Sequence, residues 1–175
     1  MKHAHHHEPA EFQKLQIGIL VVSDTRTLET DTSGQYLTAV LETTGHQVKD
    51  RSIVKDEVAA IQEKLIAWSS DGDFQAVLVT GGTGVTARDV TPEAVEPLYT
   101  KTLPGFGELF RMLSYQEIST ACIQSRASAG LIGKMLVFCL PGSRGACRLA
   151  LEDIILPQLD ASTLPCSFPA LFSRM

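Results

Sequence analysis

Residues Val77–Leu98 read VLVTGGTGVTARDVTPEAVEPL, an apolar run that breaks into glycines and then offers an arginine, an aspartate and a helix start. The run opens at Ala76, and Ala76–Thr80 is continuously apolar up to its last residue, as a strand covered on both faces requires. Thr91-Pro92-Glu93 supplies a cap residue and a proline at the first helical position, so a helix is expected to start there, and Pro97 is placed to end it. Strand, glycine loop and helix in this order form the repeating unit of an alternating α/β fold.

The same alternation extends to both sides. Leu15–Ser23, LQIGILVVS, is rich in β-branched residues and reads as a central strand. Ser33–Thr44 carries Leu37, Val40 and Leu41 at helical spacing, with Gly45 positioned to stop the helix. Gln47–Val54 reads as a more polar strand nearer an edge. Glu57–Ser69 places Val58, Ile61, Leu65 and Trp68 on one helical stripe, and Leu103–Ile118 does the same with Phe106, Leu109, Phe110 and Leu113. Met135–Leu140 reads as the last central strand, followed by a helix capped by Ser143 and running to Pro157. Ala121–Gly133 fits neither period. The pattern as a whole predicts one α/β domain with a mostly parallel, doubly wound sheet.

Composition excludes several function classes. Fifteen Lys+Arg against twenty Asp+Glu give a formal charge of -5, which argues against a general nucleic-acid or membrane-surface binder and requires any anion to be met locally. The longest apolar stretches, IGILVV and MLVFCLPG, fall far short of the roughly 20 residues of a membrane helix. Cys122, Cys139, Cys147 and Cys166 contain no CxxC pair, and the first three lie in segments that read as buried, so reduced thiols and a cytoplasmic location are expected. The start, MKHAHHHEPAEF, lacks a signal-peptide core, and residues 1–13 read as a flexible tail or a purification remnant. The end, residues 161–175, reads as an extended tail over its own domain or a neighbouring subunit.

In a doubly wound sheet ligands bind outside the carboxyl ends of the strands. Ser23, Asp24 and Arg26 follow the first strand, Asp56 the second, Gly81–Asp89 the third, and Pro141-Gly142-Ser143 the fourth. Three glycines in TGGTG forfeit on the order of 2 kcal/mol of backbone entropy, which a plain turn does not require; a backbone nest for phosphate does. The loop is no Walker motif, because no Lys-Ser/Thr pair follows. Gly82, Gly84 and Ala87 match a dinucleotide spacing only weakly, since the helix start comes late, at Thr91. Asp89 could merely favour a helix start and Asp56 merely cap one, but together they offer the one or two carboxylates that Mg2+ takes while sharing phosphate oxygens. Arg26, Arg88, Arg126 and Arg144 near one rim suit a polyanionic ligand. Ser23, Ser125 and Ser143 have no histidine in an evident motif, and His46 reads as a surface residue rather than a base.

TGGTGVTARDVTPEAV, LPGFGELFRMLS, SRASAG and LPGS occur here in order, and together they resemble the MoaB/MogA family of molybdenum cofactor biosynthesis. The likeness runs from about Leu15 to Phe168, and DTSGQYL, FGELFRMLSYQEI and IILPQLDASTLPCSF resemble the MoaB branch. The resemblance implies a three-layer α/β/α sandwich, with residues 14–160 as one molybdopterin-binding domain. It further implies a trimer or hexamer, contact with other molybdenum cofactor biosynthesis proteins, and no nucleic-acid or membrane partner. The implied activity is molybdopterin adenylyl transfer from Mg-ATP, or, alternatively, molybdopterin binding or scaffolding without catalysis. By the same resemblance Gly81, Gly82, Thr83 and Gly84 hold nucleotide phosphates, Asp56 and Asp89 handle Mg2+, and Ser23, Pro141, Gly142 and Ser143 lie beside the nucleotide. Pro104, Gly105, Glu108, Ser125 and Arg126 line the pterin side. The chain departs from the family pattern at Cys139, where a polar residue is common, and in its histidine-rich start.

Overall fold

A computed structural model describes residues 11–172 and Arg174, so the histidine-rich start lies outside the described residues. Alternating strands and helices are laid down in the order the sequence predicts: β1 (Gln16–Val22), α1 (Thr32–Thr43), β2 (Gln47–Val54), α2 (Val58–Asp71), β3 (Ala76–Thr80) and α3 (Thr91–Val95). The second half adds β4 (Lys101–Thr102), α4 (Pro104–Ile118), β5 (Ser128–Ile132), β6 (Met135–Leu140) and a final helical run. That run begins with α5 (Arg144–Arg148), passes through a π-helical segment (Leu149–Ile155) and ends with α6 (Leu156–Leu159); a short α7 (Pro169–Phe172) lies in the C-terminal segment.

The six strands form one sheet in the order β2-β1-β3-β6-β5-β4. The β2, β1, β3 and β6 strands are mutually parallel, and β2 is at an edge, as its polar sequence predicts. Because side chains alternate along each strand, β1 sends Ile17, Ile19 and Val21 to one face and Leu20 and Val22 to the other. The first face packs on α1, α4 and the last helical run through Leu37, Phe110, Leu151 and Ile155; the second packs on α2 and α3 through Ile61, Leu65, Trp68 and Val95. Helices on both faces of a mixed sheet make the three-layer α/β/α sandwich.

Several local expectations change. Ala121–Gly133, which has no clear period, forms a 3-10 turn (Ser119–Gln124) and then β5, antiparallel to β6. The two-residue β4 was outside the sequence reading and pairs antiparallel with β5. His46 is not a surface residue: it is 5% exposed, its Nδ1 accepts a hydrogen bond from Leu15 N at 3.4 Å, and burial lowers its pKa. The C-terminal segment lies over its own domain, with Phe168 edge-on against Phe138 and Phe172 on the same core, but it is not extended throughout, since Pro169–Phe172 is helical. All four cysteines are free, and burial pushes the Cys139 thiol up to about 12.

Candidate functional site

The glycine loop leaves β3 at the centre of the sheet and is held by hydrogen bonds that consume its acceptors. Gly81 N donates to Leu140 O at 3.1 Å, which ties the loop to the end of β6. Thr91 was expected to cap α3, but it is the first helical residue and Val90 precedes it as a cap without a side-chain bond. Its Oγ1 donates instead to Gly81 O at 2.7 Å, and its N–H donates to Gly82 O at 2.9 Å. Arg126 Nε donates to Gly84 O and Nη2 to Asp89 O, both at 2.8 Å. Among the described residues the N–H groups of Gly82 and Thr83 donate to no protein group. With the Gly81, Gly82 and Gly84 carbonyls occupied and the Gly82 and Thr83 N–H groups free, this stretch has the polarity of an anion nest.

Glycine is required in two places. Gly81 adopts φ 103°, and a Cβ there would lie 2.2 Å from Val22 O; Gly82 adopts φ 61°, and its Cβ would lie 2.5 Å from Thr91 Oγ1 and 2.9 Å from Asp56 Oδ1. The second contact also locates Asp56. It does not cap α2, whose cap position is Glu57, and its carboxylate lies directly against the loop. Burial and the neighbouring Asp24 charge raise the Asp56 pKa, with Asp89 adding to the rise. Asp89 is different: its Oδ2 accepts from Thr86 N at 2.9 Å and Thr86 Oγ1 at 2.6 Å, and these bonds lower its pKa. Among the described residues no three His, Cys, Asp or Glu side chains form a metal-binding group. Two convergent carboxylates, one of them disfavoured by its surroundings when charged, fit a cation that brings waters and phosphate oxygens as its remaining ligands.

One cavity of about 510 Å3 is lined by Gly81, Gly82, Thr83, Gly84, Asp89, Ser125, Pro141, Gly142 and Ser143, a volume ordinary for a small-molecule site. Thr80 Oγ1 donates to Pro141 O and Ser33 Oγ to Gly142 O, so the Pro141–Ser143 loop is fixed beside the glycines. Ser143 also caps α5, as expected, accepting from Ala146 N at 3.3 Å. Ser23 lies next door, in a small pocket of about 120 Å3 that shares Gly81 and Gly142 with the main cavity.

The residues expected on the pterin side do not all come together. Pro104 and Glu108 line a second cavity of about 650 Å3, together with Glu93, Arg111 and Arg126, and Gly105 lines neither. The reason is the helical period of α4: Pro104, Gly107, Glu108 and Arg111 share one face of the helix, and Phe110 lies on another. Its far end serves the main cavity through Phe110, Ser114, Glu117 and Ile118, which sequence reasoning did not select. The signal was present, since these positions recur at three- and four-residue intervals on one helical face. The four arginines are not a free cationic cluster either. Arg88 pairs with Asp24, Arg126 with Glu93, Arg26 bonds Thr30 O at 3.2 Å, and Arg144 lies over the Tyr36 ring at 5.2 Å.

A family model described as "Probable molybdopterin binding domain" matches residues 18–161. The chain is 52% identical over 158 residues to Molybdenum cofactor biosynthesis protein B of Escherichia coli K12, covering 90% of this chain and 93% of that one. It is also 52% identical over 142 residues to the Bacillus subtilis protein of the same name, covering 81% and 84%. Among solved structures, the tungsten cofactor synthesizing protein MoaB of Pyrococcus furiosus superposes with a TM-score of 0.70 at 38% identity, covering 81% of this chain and 91% of that one. A crystal structure of a Molybdenum cofactor biosynthesis protein B superposes with a TM-score of 0.83 at 48% identity, covering 86% and 94%.

Proposed function

We propose, from the premise that this chain belongs to the molybdopterin-binding family of molybdenum cofactor biosynthesis proteins, that it is a molybdopterin adenylyltransferase. Its role in molybdenum cofactor biosynthesis follows from the family; the reaction is our reading of the site. In that reaction an oxygen of the terminal phosphate of molybdopterin attacks the α-phosphorus of ATP. The new P–O bond replaces the bond to the β-phosphate, and pyrophosphate leaves with the electron pair.

The observation that carries this reading is the loop's polarity: carbonyls of Gly81, Gly82, Gly84 and Asp89 are engaged, while N–H groups of Gly82 and Thr83 remain free beside two carboxylates. Free backbone donors preorganised in a concave loop suit the triphosphate and stabilise charge that shifts during transfer. Asp56 and Asp89 would hold Mg2+, whose chemistry is to neutralise phosphate charge and fix its orientation. The pterin would occupy the main cavity, whose apolar wall includes Phe110, Ile118 and Leu149 and whose polar groups include Ser125 and Gln124. No covalent nucleophile is needed, because the attacking phosphate is already an oxyanion and the site has mainly to align two anions.

Pyrophosphate release from purified protein with molybdopterin and Mg-ATP tests the proposal; its absence, with both ligands bound, overturns it. A second reading, molybdopterin binding without transfer, would use the same cavity and differs from the first in turnover alone. Molybdopterin binding without ATP consumption would establish it.

A further inference from the structure

Arg126 stands between the two larger cavities, and its guanidinium is turned toward protein carbonyls rather than left for a ligand. We propose that Arg126 is a positioning residue for the nucleotide: it clamps both ends of the Gly84–Asp89 segment, holding the Asp89 carboxylate in place and keeping two carbonyl oxygens away from bound phosphates. The proposal deepens the adenylyl-transfer reading and, for its kinetic consequences, rests on it.

The geometry divides the work. Thr86 N and Oγ1 fix the Asp89 carboxylate within the segment, so the segment closes on itself. Nothing in those bonds attaches it to the sheet. Arg126, two residues before β5, attaches both ends with Nε on Gly84 O and Nη2 on Asp89 O, each at 2.8 Å, while the exposed Arg88–Asp24 pair ties the middle to the loop after β1. The planar guanidinium holds both carbonyls in one fixed relation, a task for which an ammonium has no equivalent geometry. Its remaining terminal nitrogen, Nη1, pairs with Glu93 on α3, which offsets the positive charge. Arg126 therefore acts through the loop's geometry and not as a free cation for the substrate. Thr91 performs the matching task at Gly81 and Gly82, so the loop is held from both sides.

The test combines steady-state pyrophosphate release with amide hydrogen exchange of the ligand-free protein, on Arg126→Ala, Arg126→Lys and Glu93→Gln. A clamp predicts that the KM for Mg-ATP rises about tenfold or more in both Arg126 variants while the KM for molybdopterin stays within about twofold. Exchange of the residue 84–90 amides accelerates about tenfold or more in both, with β1 and β6 unchanged. Glu93→Gln, which leaves both carbonyl bonds in place, raises the KM for Mg-ATP no more than about threefold. Restoration of wild-type KM by lysine, or unchanged loop exchange in Arg126→Ala, overturns the proposal and makes Arg126 a simple charge contact. A Glu93→Gln effect as large as that of Arg126→Ala also overturns it. If wild-type protein releases no pyrophosphate, adenylyl transfer fails alone. Loop exchange and calorimetric Mg-ATP affinity of the Arg126 variants then decide the clamp, which loosened exchange with at least about tenfold weaker binding supports and unchanged values overturn.

Discussion

The loops after β2 and β3 each bring one carboxylate to the same glycines, and the fold treats the two in opposite ways. Asp89 is held by Thr86 and favoured as an anion; Asp56 is disfavoured as an anion by burial and by the Asp24 charge, which outweigh Arg88 and the Asp24 backbone. The contrast separates two jobs that one residue type can do. A carboxylate whose charge the fold already satisfies builds the site, whereas one whose charge the fold on balance disfavours gains most from a cation delivered with the ligand.

The largest test of this contrast is catalytic. Asp56→Asn and Asp89→Asn should each lower pyrophosphate release by about a hundredfold or more, with folding retained by circular dichroism. A full-speed Asp89→Asn enzyme would remove it from the metal role. Next, Gly82→Ala introduces a Cβ against both Thr91 Oγ1 and Asp56 Oδ1 at φ 61°, and should cost about 1–3 kcal/mol in a urea titration along with much of the turnover. The smallest effects should have opposite signs. Asp89, with its lowered pKa, contributes stability that is present above its unfolded value near about pH 3.9 and is lost as pH falls through the folded value. Asp89→Asn should therefore lower the urea midpoint at about pH 7, and the difference should close in acid. Asp56, with its raised pKa, contributes stability that is complete below its unfolded value and lost as pH rises through the folded one. Asp56→Asn should show a midpoint at or above wild type at about pH 7; a lower one would break the contrast.

Much of this arrangement was legible in the sequence because it follows from local pattern. Continuous apolar runs revealed β1, β3 and β6, and the polar run at Gln47–Val54 revealed its edge position. The glycine cluster, Asp56, Asp89 and the Pro141–Ser143 loop were legible because doubly wound topology places residues after parallel strands on one rim. What escaped was whatever depends on partners far away in sequence. Thr91 reads as a cap, yet its hydroxyl finds Gly81 O ten residues earlier. Arg126 reads as a ligand cation, yet loop carbonyls reached it first. His46 is polar by type but fills a buried contact with Leu15 N. Pro104 and Glu108 share a motif with Phe110 and Ser114, but the helical turn puts them on another face, toward another cavity.

The reversed β5 has a practical consequence. Along the parallel strands only the segment that follows a strand reaches the ligand rim, but in an antiparallel strand the preceding segment does, which is how Ser125 and Arg126 arrive there. The tight connection on the other side of β5, Gly133 and Lys134, therefore lies at the opposite pole of the sheet. The molecule has a chemical end and a handling end, and an inserted tag, fluorophore or affinity loop belongs at Gly133–Lys134, about the length of a strand away from every residue that the reaction uses.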